Sequence, residues 1–196
     1  MFNFKPCAAG CGKAAIAGSD LCAEHSADPI ADALRLGEFI KSESVIRNLN
    51  SSGLKFLNSD FSQRKYLGCN FLHTSFTDCN FKNSFLRLTF FDFAEFVNCD
   101  FSGSNMEFGS FGACKFTTCV FKDAELIKLN FNGTQITDCN FEASDLYSSR
   151  FINANIERSN IVDCNVKSVS FINAHIEDVS FKASNTYDAI FELKDD

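Results

Sequence analysis

From Phe56 to Phe191 every fifth residue is large and apolar, 28 positions in one unbroken register from which only Thr186 departs. Phe fills 17 of these centres, and Tyr66, Met106, three Leu, four Ile and Val166 fill the remaining apolar ones. An α-helix has a period of 3.6 and a strand a period of 2, so neither sends every fifth side chain to one face. The chain must turn a corner once per five residues and bury one side chain at each turn, as a solenoid does. Two residues before each centre stands Ala, Ser, Thr, Cys or Gly in 23 of 28 cases; the exceptions are Leu54, Arg64, Leu129, Val169 and Val179. Small beside large packs a narrow interior without voids.

The number of sides follows from a second period. Taken every twenty residues, the centres form four columns: one is all Phe, from Phe71 to Phe191, and another (Tyr66, Leu86, Met106, Leu126, Leu146, Val166, Thr186) contains none. Four pentapeptides therefore make one coil, and 28 centres make seven. At ~4.8 Å between strands, six steps give a rod on the order of 30 Å long.

This pattern resembles the pentapeptide-repeat family over residues 54 to 191, with a large apolar centre, a small residue two places earlier and polar residues between. The resemblance implies an all-β fold, a right-handed quadrilateral parallel β-helix. It does not imply one function, because repeat scaffolds carry many.

Three segments are expected: a small N-terminal unit at 1–27, a capping helix and linker at 28–50, and the solenoid at 51–196. In the second, Asp28 suits an N-cap and Pro29 a first helical position, while Ile30, Leu34, Leu36, Phe39 and Ile40 give a broad apolar face to lie on the first coil. End coils expose backbone and core and must be capped or paired. At the other end only Glu192 to Asp196 follow the last centre. Either that acidic tail shields the end, or two molecules meet through it as a homodimer.

The ten cysteines divide into two groups. Cys69, Cys79, Cys99, Cys114, Cys119, Cys139 and Cys164 occupy the small position, where a buried thiol acts as a small hydrophobe. Four of them, Cys79 to Cys139, stack twenty apart, and packing explains that ladder better than redox or metal chemistry. The other three form Cys7-x3-Cys11-x10-Cys22-x2-His25, two short-spaced pairs that supply a full tetrahedral set for one structural zinc. Gly18 and Ser19 allow the second pair to fold back onto the first. The segment resembles a short zinc knuckle. A Cys7–Cys11 disulfide and chance clustering are the competing readings, the first disfavoured in a reducing compartment.

Catalytic constellations do not emerge. His73 and His175 fall at outward positions without a nucleophile beside them in sequence, and carboxylates on flat faces have no cleft to shift their pKa values. The chain is expected to bind rather than catalyse. It shows no apolar run near the ~18 residues of a membrane helix, and its first residues lack the pattern of a signal peptide, so a cytoplasmic protein is expected. Residues 1–25 balance Lys5 and Lys13 against Asp20 and Glu24, which gives no phosphate-binding patch and no direct nucleic-acid binding.

Charge is polarised along the rod. Residues 51–130 carry 8 basic and 8 acidic side chains, whereas 131–196 carry 5 and 11, a net of −6. The leading expectation is a non-enzymatic scaffold that presents flat faces to a partner protein. The alternative, implied by family members that protect type II topoisomerases, is an acidic DNA mimic that modulates gyrase. Two departures weaken that transfer: no loop interrupts this repeat, and no C-terminal pairing helix follows it.

Overall fold

The computed structural model describes residues 4–192; residues 193–196, most of the acidic tail expected as one of the two covers for the last coil, lie outside them, as do residues 1–3. The chain winds into a parallel β-helix of about seven coils with one helix at its N-terminal end. One face is a five-stranded sheet (Val45–Arg47, Lys65–Leu67, Phe85–Arg87, Asn105–Glu107 and Glu125–Ile127), and another is a seven-stranded sheet running from Lys55–Leu57 to His175–Glu177. Single parallel bridges such as Asp60 to Asn80 and Asn70 to Phe90 tie the other two. Every pairing within the solenoid steps by twenty, as in Phe56 to Phe76, Phe76 to Phe96 and Phe96 to Phe116. The four sides and about seven coils are those that the double period implies, and the fold is the right-handed quadrilateral β-helix that the family resemblance implies.

The corners are made by backbone conformation. The residue two after each centre takes a positive φ at every repeat from Asn48 to Ala183. Side-chain bearing residues adopt that left-handed region at a cost, Asn and Asp least of all, and those two are frequent there. Inside, the all-Phe column stacks ring on ring at 5.0, 4.9, 5.2, 4.6, 5.2 and 5.1 Å from Phe71 to Phe191. These spacings follow the strand separation, which is why a ring repeats in register so well. Neighbouring columns meet edge to face, as Phe91 meets Phe96 at 5.6 Å and 62°. Rings fill three sides, and the column of Tyr66, Leu86, Met106 and Leu126 closes the fourth.

The N-terminal end differs from its sequence reading in three respects. The helix is Pro29–Ser42, capped by the Asp28 carboxylate accepting from the Ala31 N–H at 2.9 Å. It fills only the first part of the 28–50 segment because Val45–Arg47 already pair with Lys65–Leu67, so the solenoid begins inside the segment expected to be linker. Its buried row is Ala33, Leu36 and Ile40, whereas Ile30, Leu34 and Phe39 are exposed, because the helix rests on the coil by a single stripe. Arg64, an exception to the small-residue rule, explains itself here: its Nε donates to the Ile40 carbonyl at 2.7 Å and its guanidinium to Lys41 O at 3.1 Å. A cation on the last carbonyls of a helix satisfies groups that have no intrahelical partner.

At the far end the repeat loosens. Thr186, the one polar centre, sits in a 3-10 turn at Thr186–Asp188 instead of a strand, and Ile190 and Phe191 are partly exposed.

Candidate metal centre

Residues 4–27 form a small knuckle held by its own backbone. Pro6 bridges Ala14 antiparallel, the Cys7 N–H donates to Lys13 O at 2.9 Å, and Ala8 N–H donates to Asp20 O at 2.8 Å. Gly10 and Gly12 take φ of +72° and +78°, which lets the chain reverse between Cys7 and Lys13. A second turn, in which the His25 and Ser26 N–H groups donate to Cys22 O at 3.1 and 2.9 Å, brings His25 back beside Cys22.

These two turns place Cys7, Cys11, Cys22 and His25 together, with all four ligand atoms within 4.8 Å of one another. Cys11 Sγ lies 3.7 Å from Cys22 Sγ, and His25 Nδ1 lies 3.4 Å from Cys22 Sγ and 3.6 Å from Cys7 Sγ. A tetrahedron with metal–sulfur bonds of ~2.3 Å has edges of about 3.8 Å, so the set fits a four-coordinate ion. Cys7 is poised as a thiolate: the Cys22 N–H donates to its sulfur at 3.3 Å, and this bond, with Ala9 and His25, lowers its pKa to about 6. All ten cysteines are free thiols.

The other cysteines lie in the core. Burial pushes Cys69 up to about 11 and raises Cys114 as well. In the ladder, neighbouring thiols and burial raise Cys79 and Cys119, and neighbouring thiols lower Cys99 and Cys139, while the thiols donate to backbone carbonyls, as Cys79 does to Thr77 O at 3.4 Å and Cys119 to Thr117 O at 3.5 Å. Among the described residues, only the knuckle set gathers three or more metal-binding groups of His, Cys, Asp or Glu in this way. His73 stacks on Phe93 at 5.0 Å, and His175 faces Glu177 at 3.3 Å.

Sequence reasoning missed how the knuckle docks. Buried Ile16 joins the main core. Buried Asn50 joins both units: its carbonyl accepts from the Ala17 N–H at 2.8 Å and its side-chain amide donates to Ala15 O at 2.7 Å. Ala15–Ala17 thus occupy the place of a coil below the first one. Where the knuckle meets the rod, a cavity of about 730 Å³ opens, lined by Lys13, Ala23, Ile30, Gly53, Leu72 and His73 among others. The sequence signal available was Asn50, which begins the column of Asn70, Phe90 and Ser110 before the first large centre.

No curated protein matches this sequence. Solved structures that resemble it include HetL, a pentapeptide repeat protein involved in heterocyst differentiation regulation from the cyanobacterium Nostoc, at 12% identity over 83% of this chain and 96% of that one, TM-score 0.35. A pentapeptide repeat protein of the Arabidopsis thaliana thylakoid lumen matches at 15% identity over 66% and 70%, TM-score 0.35. Full-length QnrB1, a plasmid-mediated fluoroquinolone resistance protein, matches at 17% over 72% and 90%, TM-score 0.30. Models of the family match directly: one described as a pentapeptide repeat region covers residues 114–191, and one described as pentapeptide repeats covers 55–92 and 69–107. The chain belongs to the pentapeptide-repeat family.

Proposed function

We propose that the protein is a non-enzymatic interaction scaffold whose rod presents flat, pre-organised faces to a partner protein. The observation that supports this reading is the continuity of the rod: twenty-residue pairing runs without a break from Val45 to Ile190. A surface already ordered before binding loses little conformational freedom on association. The knuckle and helix close one end of this rod, and one structural zinc on Cys7, Cys11, Cys22 and His25 holds the knuckle. All four ligand positions come from the protein, which leaves no place for a reacting water. Free thiols throughout suit a cytoplasmic, reducing compartment. Protein purified without chelator should carry close to one zinc per chain; below about 0.2 equivalents the zinc reading fails, since such sites bind tightly.

The second reading, an acidic DNA mimic acting on a type II topoisomerase, has its own observation. Asp123, Glu142, Asp145 and Asp163 line one edge of the rod over three coils, together with Glu125, by their register in the repeat. Glu142 is partly neutralised by Lys122 at 2.9 Å. Glu157 belongs to a different face, where Arg158 holds it at 3.1 Å. Gyrase supercoiling assayed with purified protein separates the readings. The scaffold reading expects no effect at micromolar protein. Salt-sensitive inhibition, lost when Asp123, Glu142, Asp145 and Asp163 are changed to Lys, would establish the mimic instead.

A further inference from the structure

The face centred on Phe71, Phe91 and Phe111 differs from the other three. At its outward repeat positions between Asn50 and Asn173 stand only two ionic side chains, Asp92 and Arg150, whereas each other face carries at least seven. Charge depletion with aromatic enrichment is the mark of the centre of a protein interface. The edges of this face carry a second signal. Leu88 and Phe108 on one side, His73 and Phe93 on the other, are bulky residues in the left-handed region, at φ of +50°, +55°, +55° and +62°. Elsewhere that position mostly holds small or polar residues. Leu88, Phe93 and Phe108 are also exposed, so they combine backbone strain with apolar surface in water, offset within the chain by the stack of Phe93 on His73 and by Arg87 over the Phe108 ring at 5.8 Å.

The positions of the two charges identify what covers the face. Asp92 lies in the coil below Phe111 and Arg150 in the coil above Phe131, so the two stand equally far from the midpoint between Phe111 and Phe131. We infer that a second copy of this chain packs antiparallel against this face, related by a two-fold axis through that midpoint. Such an axis sets the coil of Phe91 against the coil of Phe151. Arg150 of each copy then faces Phe90 and reaches Asp92 of the other, pairing the only two ionic groups of the face. The same rotation sets Leu72 opposite Ile172, Phe108 opposite Lys128, and Arg87 opposite Tyr147. Among the described residues it brings no like-charged pair together along the face or its edges, although the chain carries a net charge of −7. It also lays the last coil, with Ile190 and Phe191 partly exposed, beside the cavity under the other copy's knuckle. This inference does not depend on the scaffold reading; if both hold, the partner uses the remaining faces.

The test is solution mass by sedimentation equilibrium at tens of micromolar full-length, zinc-loaded protein. Wild type should weigh twice 21.8 kDa. Arg150→Asp should weaken the dimer at least tenfold, and so should Asp92→Arg. Mixing these two variants should restore a dimer, because each then supplies the charge the other lacks. Phe93→Asn with Phe108→Asn should also abolish the dimer without lowering the melting temperature, since Asn suits the left-handed corner. That pair and Arg150→Asp, an exposed residue, keep the test valid if Asp92→Arg fails to fold. A monomeric wild type, or a dimer indifferent to Arg150→Asp and to the paired Asn changes, would overturn the inference. An end-to-end association through the last coil would give that second result.

Discussion

At the scale of single residues the sequence is legible because each pentapeptide position has one physical task. The centre is buried, the small residue lets it pass, and the corner residue must tolerate positive φ. Phe131 shows the first: it is fully buried and stacks on Phe111 at 5.2 Å and on Phe151 at 4.6 Å. Phe131→Ala should cost on the order of 3–5 kcal/mol through lost transfer energy and the cavity left behind. Chemical denaturation reading less than about 1 kcal/mol would mean that the side chain does not serve the core. Ser84 shows where composition misleads. It satisfies the small-residue rule, but its buried hydroxyl has no hydrogen-bond partner. An orphaned buried polar group is costly, so Ser84→Ala should raise stability, by about 1 kcal/mol. A loss of stability in the same denaturation experiment would indicate that the hydroxyl is satisfied. Corner strain was not legible from the pattern, because a period in hydrophobicity says nothing about φ.

Among the elements, the coils were readable and the N-terminal cap only in part. The ligand set of Cys7, Cys11, Cys22 and His25 could be read from spacing because short-spaced pairs bring ligands together locally. How the knuckle sits on the rod depends on Asn50 and Ile16, whose partners lie outside any repeat. The helix boundary at Ser42 was hidden for a similar reason: strand pairing of Val45–Arg47 with residues twenty further on competes with helix propensity and wins. Arg64 is the link between helix and coil, with hydrogen bonds to Ile40 O and Lys41 O. Arg64→Met keeps much of the stem and removes those bonds, leaving Lys41 O without the guanidinium and Ile40 O with only the long bond from the Glu43 N–H at 3.4 Å. It should cost about 1–2 kcal/mol. The loss should appear as fraying of residues 29–42, measured by limited proteolysis; an unchanged cleavage pattern would show that the helix is held by its apolar stripe alone.

For the whole molecule, the two ends set the behaviour of the rod. Each coil fixes twenty residues at ~1–2 kcal/mol each, and no coil offsets that alone, so stability is shared with neighbours above and below. The first coil has the helix and the knuckle beneath it. The last described coil, in which Ile176 and Phe181 are only partly buried, has no such support among the described residues. Opening should therefore begin at the C-terminal end and advance inward. Native-state hydrogen exchange tests this most directly, followed amide by amide with and without a zinc chelator. The account predicts slowest exchange at the mid-rod amides of Phe101, Phe121 and Phe131, and progressively faster exchange beyond Phe171. Chelation should expose the amides of Cys7, Ala15 and Ala17 and leave the mid-rod unchanged. Uniform exchange along the rod, or a mid-rod that opens when zinc is removed, would contradict it.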